Sequence, residues 1–149
     1  MTSAPVLTGQ DLAEVSGAVH AMLEAALAGT RLTAEEFVAL QLLHQRPTMS
    51  PSEFAAYLLS QRQSRLDAER AFARVALLAE KGLVEPLAHG EPVTPSPRGE
   101  ALYREQLARV QALAGELYGE IDPQELATTK RVLTRLGSRA GELAENLRE

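Results

Sequence analysis

The sequence predicts a mainly α fold, six helices with one short β-hairpin between the fourth and the fifth. Three observations carry this. Apolar residues make up 45% of the chain and aromatic residues only 4%, with Leu and Ala dominant, a composition that favours helix over strand. Helix-start signals recur along the whole length. Pro, Gly and extended-preferring residues cluster only between Glu85 and Pro95. At 149 residues the chain has the size of one domain and can bury a single core.

The starts are written in side chains. Thr8, Thr33 and Ser50 each precede an acid three residues on, Asp11, Glu36 and Glu53, so hydroxyl and carboxylate can satisfy unpaired amides reciprocally. Leu7 with Leu12, Leu32 with Phe37 and Met49 with Phe54 occupy the staple positions around these caps. Asp122-Pro123 repeats the pattern with Ile121 and Leu126, and Pro51 and Pro123 sit at the first helical position, where a missing amide costs nothing. Asp67 and Ser96-Pro97 mark two more starts. Gly29, Gly82 and Gly119 stand where a left-handed residue ends a helix, and Arg46-Pro47 stops the second helix. The predicted helices span 9–28, 34–46, 51–61, 68–81, 97–118 and 123–147. Residues 84–94 predict a two-stranded hairpin turning at His89-Gly90.

Several function classes drop out. The chain has no Cys, which removes disulfides, thiolate metal sites and a nucleophilic Cys. His20, His44 and His89 are not at ligand spacing, and neither a phosphate-binding loop nor a nucleophile elbow occurs. The expectation is no enzyme, no catalytic residues, no cofactor and no metal. No apolar run reaches the ~20 residues of a membrane span, and the start lacks the order of a signal peptide, so the expected location is the cytoplasm. The net charge of −5 argues against general nucleic-acid binding. Only residues 62–104 carry more basic than acidic side chains, and there Arg62, Arg65, Arg70 and Arg74 face only Asp67 and Glu69.

Helices 51–61 and 68–81, followed at once by Gly-Leu-Val and a hairpin, have the order of a winged helix-turn-helix. With Val75 at the centre of the inward face of the second, Ala71, Phe72, Leu78 and Ala79 lie within about 60° of it at ~100° per residue. That face is predicted core. Glu69, Arg70, Ala73 and Leu77 lie opposite, with Arg74 on the flank, the layout of a helix that presents side chains to base edges while anchoring its back. Ala73 permits close approach. The fork of Arg70 can meet guanine O6 and N7 together.

The succession Ser50-Pro51-Ser52-Glu53-Phe54-Ala55-Ala56-Tyr57-Leu58, then Val75 and Leu78, then Glu80-Lys81-Gly82-Leu83-Val84, then Ser96-Pro97-Arg98-Gly99-Glu100-Ala101-Leu102, flanked by long helices, resembles the MarR family of dimeric transcriptional regulators. The resemblance implies one domain over 1–149, with a winged helix-turn-helix DNA-binding part at 33–96 and helical dimerisation parts at 7–30 and 97–149. It implies a homodimer on double-stranded DNA, recognition helices in successive major grooves and wings toward the minor groove. Many members are repressors released by small, often phenolic, effectors bound between the two parts, and His20, His44 and Arg46 are the candidates to line such a pocket.

Two departures stand out. Residues 59–66 make a turn several residues longer than the family's, so that either the third helix runs on or a polar loop bulges toward the DNA, offering Arg62, Ser64 and Arg65 to it. The short wing ends in His89-Gly90-Glu91, without the family's minor-groove Arg. The expected DNA-facing set is therefore Arg62, Ser64, Arg65, Glu69, Arg70, Ala73, Arg74, His89 and Arg98. A competing reading is a winged-helix protein that has lost DNA binding and serves as a ligand-binding or protein-interaction module, favoured by the acidic charge, by Glu69 and by the short wing.

Dimerisation has its own signal. Leu126, Thr129, Leu133, Leu136, Ala140, Leu143 and Leu147 alternate three and four apart, as do Tyr103, Gln106, Val110, Leu113 and Leu117, the spacing of an a/d seam. Gly137 and Gly141 each weaken the last helix by roughly 1 kcal/mol unless another helix uses the missing side chains.

Overall fold

The computed structural model describes residues 6–60 and 68–149. Among them are six helices, α1 (Gly9–Leu27), α2 (Ala34–Gln45), α3 (Pro51–Ser60), α4 (Ala68–Glu80), α5 (Pro97–Tyr118) and α6 (Pro123–Arg148). The fold is mainly α, and the ends fall within a residue of the sequence expectation. The expected cap at Asp67 and the turn residues 61–66 lie outside the described residues. The chain divides into two compact units, Met1–Arg109 and Val110–Glu149.

In the first unit the caps act as the sequence writes them. Thr8 and Thr33 each complete a capping box with Asp11 and Glu36, and the Ser50 hydroxyl accepts from the Glu53 amide at 3.2 Å. Leu32, Phe37, Met49 and Phe54 are buried, so two of the staples close onto core. Leu7 and Leu12 do not, at 54% and 40% exposed, because α1 buries only Ala26 and Leu27 at its last turn. The core centres on Phe37, Leu40, Leu43, Phe54 and Val75, all but sealed from solvent. Gly29 and Gly82 take positive φ, the left-handed conformation that ends a helix. Gly119 does not, a correction to its expected role; the chain leaves α5 by a short turn closed by the Ile121 amide on the Tyr118 carbonyl at 3.1 Å.

Of the expected two-stranded hairpin, one isolated antiparallel bridge forms, Val84 with Pro95, and among the described residues no strand forms. The Glu85 amide donates to the Thr94 carbonyl at 2.8 Å, and a turn closes through Glu91 to Ala88 at 3.1 Å with Gly90 at φ 79°. Pro86, Pro92 and Pro95 remove three amides that a ladder would need. The base of this segment is nonetheless fixed, since buried Val93 donates its amide to the Met49 carbonyl at 2.7 Å.

The second unit holds the end of α5 and all of α6. Asp122 caps α6 by accepting from the Gln124 amide at 2.8 Å. No residue of α6 is buried. Its seam is open, with Leu133, Leu136 and Leu143 near 44%, 43% and 44% exposed and Leu147 at 87%, and apart from the backbone of α6 around them nothing lies within 4 Å of where a Cβ on Gly137 or Gly141 would stand. Among the described residues no helix is long and apolar enough to cross a membrane.

Candidate nucleic-acid interface

The centre of the candidate interface is α4, held from behind and exposed in front. Buried Ala71, Val75 and Leu78 form its inward stripe, packed on α3. One residue expected on that face is not there. Phe72 is 47% exposed; the buried stripe leans to one side of Val75, toward Ala71 and Leu78, and Phe72, about 60° from Val75 on the other side, emerges into solvent.

The C-terminal end of α4 is closed by two bonds, Gly82 amide to Ala79 carbonyl at 3.0 Å and Leu83 amide to Leu78 carbonyl at 2.9 Å, the double closure of a helix ending in left-handed Gly. Arg98, on the first turn of α5, donates from Nη1 to the Lys81 carbonyl at 2.9 Å, a cation against the negative end of α4. Ser96 donates its hydroxyl to the Gly82 carbonyl and accepts from the Gly99 amide at 2.9 Å. A Cβ on Gly99 would stand 1.9 Å from the Leu83 carbonyl oxygen, so this crossing of α5 against the end of α4 requires glycine. Both ends of the segment between Leu83 and Ser96 are thereby locked to the end of α4.

Charged pairs tie α4 to the first turn of α2. Arg74 Nη1 lies 3.3 Å from Glu35 Oε2, both largely exposed, and Lys81 Nζ lies 3.0 Å from Glu36 Oε2. Glu36 is buried. Burial alone raises its carboxyl, but the Thr33 amide and Lys81 outweigh this and hold it below the ordinary carboxylate value. Between these pairs lies a cavity of about 580 Å³ walled by Leu27, Leu32, Ala39, Leu58, Leu77 and Leu78, with Arg74, Lys81 and Glu35 at its edge.

The expected site residues fall into distinct places. Glu69, Arg70 and Ala73 are exposed on the early turns of α4, and Arg74 is turned toward α2. His89 is exposed at the tip of the wing turn. Arg98 lies at the far end of α4, engaged with its carbonyl. Arg62, Ser64 and Arg65 lie outside the described residues.

The three effector candidates do not converge. His44 bonds the Leu40 carbonyl at 2.8 Å and Glu100 at 2.6 Å, and its ring stacks on Tyr103 at 4.4 Å. Arg46 lies over the Tyr57 ring at 4.5 Å. His20 pairs with Glu24 one turn on, at 3.0 Å. None of the three lines the 580 Å³ cavity, which is built instead from Glu35, Arg74 and Lys81 among apolar walls. Sequence reasoning missed that set because Glu35 and Glu36 read as first-turn acids of a capped helix; the signal available was two adjacent acids facing two cations seven residues apart on one helix side.

The sequence matches no protein-family model and no curated protein. Solved structures do match. The reduced form of MarR from E. coli is 22% identical with a TM-score of 0.66, over 89% of this chain and 95% of that one. The Mycobacterium tuberculosis MarR family protein Rv2887 in complex with DNA is 28% identical with a TM-score of 0.60, over 91% and 99%. The same protein in complex with salicylic acid gives 28% and 0.59, over 90% and 99%.

Proposed function

We propose that this chain, similar in fold to MarR family proteins, is a member of that family and a dimeric, sequence-specific DNA-binding transcriptional regulator, a repressor whose DNA complex a small-molecule effector releases. The observation that carries the reading is α4, anchored by Ala71, Val75 and Leu78 and open along Glu69, Arg70 and Ala73. Inserted in a major groove, Arg70 reads a guanine, while Arg74 on the flank meets a phosphate. Arg62, Ser64 and Arg65 supply further backbone contacts, and the wing, with His89 at its tip, contributes a secondary contact. The complex of Rv2887 with DNA supports this.

The wing closes as a short hairpin on the groove in this reading, and the exposed seam of α6 with α1 and α5 forms the dimer, making 33–96 the DNA-binding part and 7–30 with 97–149 the dimerisation parts. The effector enters the cavity of about 580 Å³, a volume within the range of about 300 to 1,000 Å³ typical of ligand pockets. A phenolic acid suits it. The ring meets Leu walls and the acid displaces Glu35 from Arg74, moving the flank of the recognition helix. Rv2887 is seen with salicylic acid. The chain is a regulator and not an enzyme.

One observation favours the second reading, a module that has lost DNA binding. The flank cation Arg74 is already paired with Glu35, in a chain of net charge −5. Mapping where the protein sits on its own genome decides between them. DNA binding gives discrete sites with two half-sites about one helical turn apart, and an interaction module gives none.

A further inference from the structure

The buried stripe of Ala71, Val75 and Leu78 fixes where every other side chain of α4 points. Two large apolar residues stay open on this helix, Phe72 at 47% and Leu77 at 45%, on opposite flanks. Leu77 sits with Arg74 and Lys81 on the flank that faces α2, and all three line the cavity there. Phe72 emerges on the other flank with Glu69, Ala73 and Ala76, all exposed and none of them part of that cavity.

This second flank combines a carboxylate, an aromatic ring and two methyl-sized side chains, without a cation. Phosphates repel such a face, so what it can meet in a major groove is the base edge. Phe72 is the largest apolar side chain exposed on this flank. The apolar feature of the major-groove edge is the 5-methyl group of thymine, which Phe and Ala side chains contact. Glu69, one turn earlier, matches the cytosine N4 amine, the donor that a carboxylate accepts from. We propose that Phe72 is a specificity-determining residue that reads a thymine 5-methyl group. This rests on the DNA-reading function proposed above.

The test starts from duplexes that the full-length protein selects from a random pool. Each thymine of the selected site is then replaced by deoxyuridine, which lacks only the methyl group. At one thymine per half-site the replacement should weaken wild-type binding about fourfold, the worth of roughly 0.8 kcal/mol for one buried methyl group. The Phe72→Ala protein should bind thymine and deoxyuridine sites alike, and Phe72→Leu should keep part of the difference. A site insensitive to deoxyuridine at every position, or a sensitivity that survives Phe72→Ala, overturns the proposal and leaves the DNA-reading function standing. A pool that yields no preferred sequence overturns both. The deoxyuridine series on wild-type protein does not depend on whether a variant folds.

Discussion

Arg74 and Glu35 face each other across α4 and α2, guanidinium Nη1 3.3 Å from carboxylate Oε2. The flank cation of α4 is thus held by an acid of its own chain. In the function proposed above, DNA must take Arg74 from Glu35 before a phosphate can use it. An exposed pair of this kind is worth about 0.2 to 1 kcal/mol, so the competition is small and measurable.

Glu35→Gln should therefore tighten DNA binding by up to about fivefold, equally for all sequences, since the contact released is to phosphate. The gain should vanish in Glu35→Gln combined with Arg74→Ala. Fluorescence anisotropy on specific and scrambled duplexes reads both. A gain confined to one sequence would place Arg74 on a base instead.

Gly99 tests the lock between α5 and the end of α4. Gly99→Ala places a methyl group where the Leu83 carbonyl stands, 1.9 Å away, and overpacking against backbone costs about 1 to 3 kcal/mol. Urea denaturation should show that loss. A variant as stable as wild type would mean that the wing's return is not fixed there.

Much of this was legible in the sequence, and the reasons are local. Caps, staples and stop signals are near-neighbour chemistry, so Thr33 with Glu36 or the left-handed Gly82 reports an element's end without knowledge of the fold. Phe72 was misread because an angular window centred on Val75 cannot say to which side the buried stripe leans; only tertiary packing, which buries Ala71 and Leu78 and leaves Phe72 out, sets that. The charged pairs Arg74 with Glu35 and Lys81 with Glu36 join residues far apart in the chain, and the cavity they border follows from tertiary packing that no spacing rule encodes. His44 was legible as a polar residue at a helix end, but its stacking on Tyr103 and its bond to Glu100 depend on where α5 crosses α2.

Acid stability follows from three carboxylates held below their ordinary values. For Asp11 the cause is the Thr8 amide and hydroxyl. For Glu36 and Glu100 burial pushes upward and is outweighed, by the Thr33 amide and Lys81 in one and by Arg104 and His44 in the other. A depressed carboxyl contributes stability that is complete above its unfolded value, 4.5 for Glu, and that disappears as pH falls through the lower folded value. Stability should be level from about neutrality down to about that pH and then decline. Glu36→Gln should lower the plateau and flatten the decline, measured as urea midpoints across the series. A decline as steep as wild type would assign acid sensitivity elsewhere.

The open seam of α6 predicts self-association. Sedimentation at micromolar concentration should give a dimer for the wild type and a monomer for Leu136→Glu with Leu143→Glu, both side chains being exposed in the single chain and thus replaceable without loss of its fold. A monomeric wild type would remove the two-half-site model.

The central claim, that α4 reads DNA, is tested most directly by binding of the wild type, Arg70→Ala and Arg74→Ala to a selected site and its single-base variants across a salt series. Arg70→Ala should cost about 1 to 3 kcal/mol and relax preference at one base pair, whereas Arg74→Ala should weaken every sequence alike and lower the salt slope by about one. Binding and preference unchanged in both variants would contradict the account and leave the interaction module as the better reading.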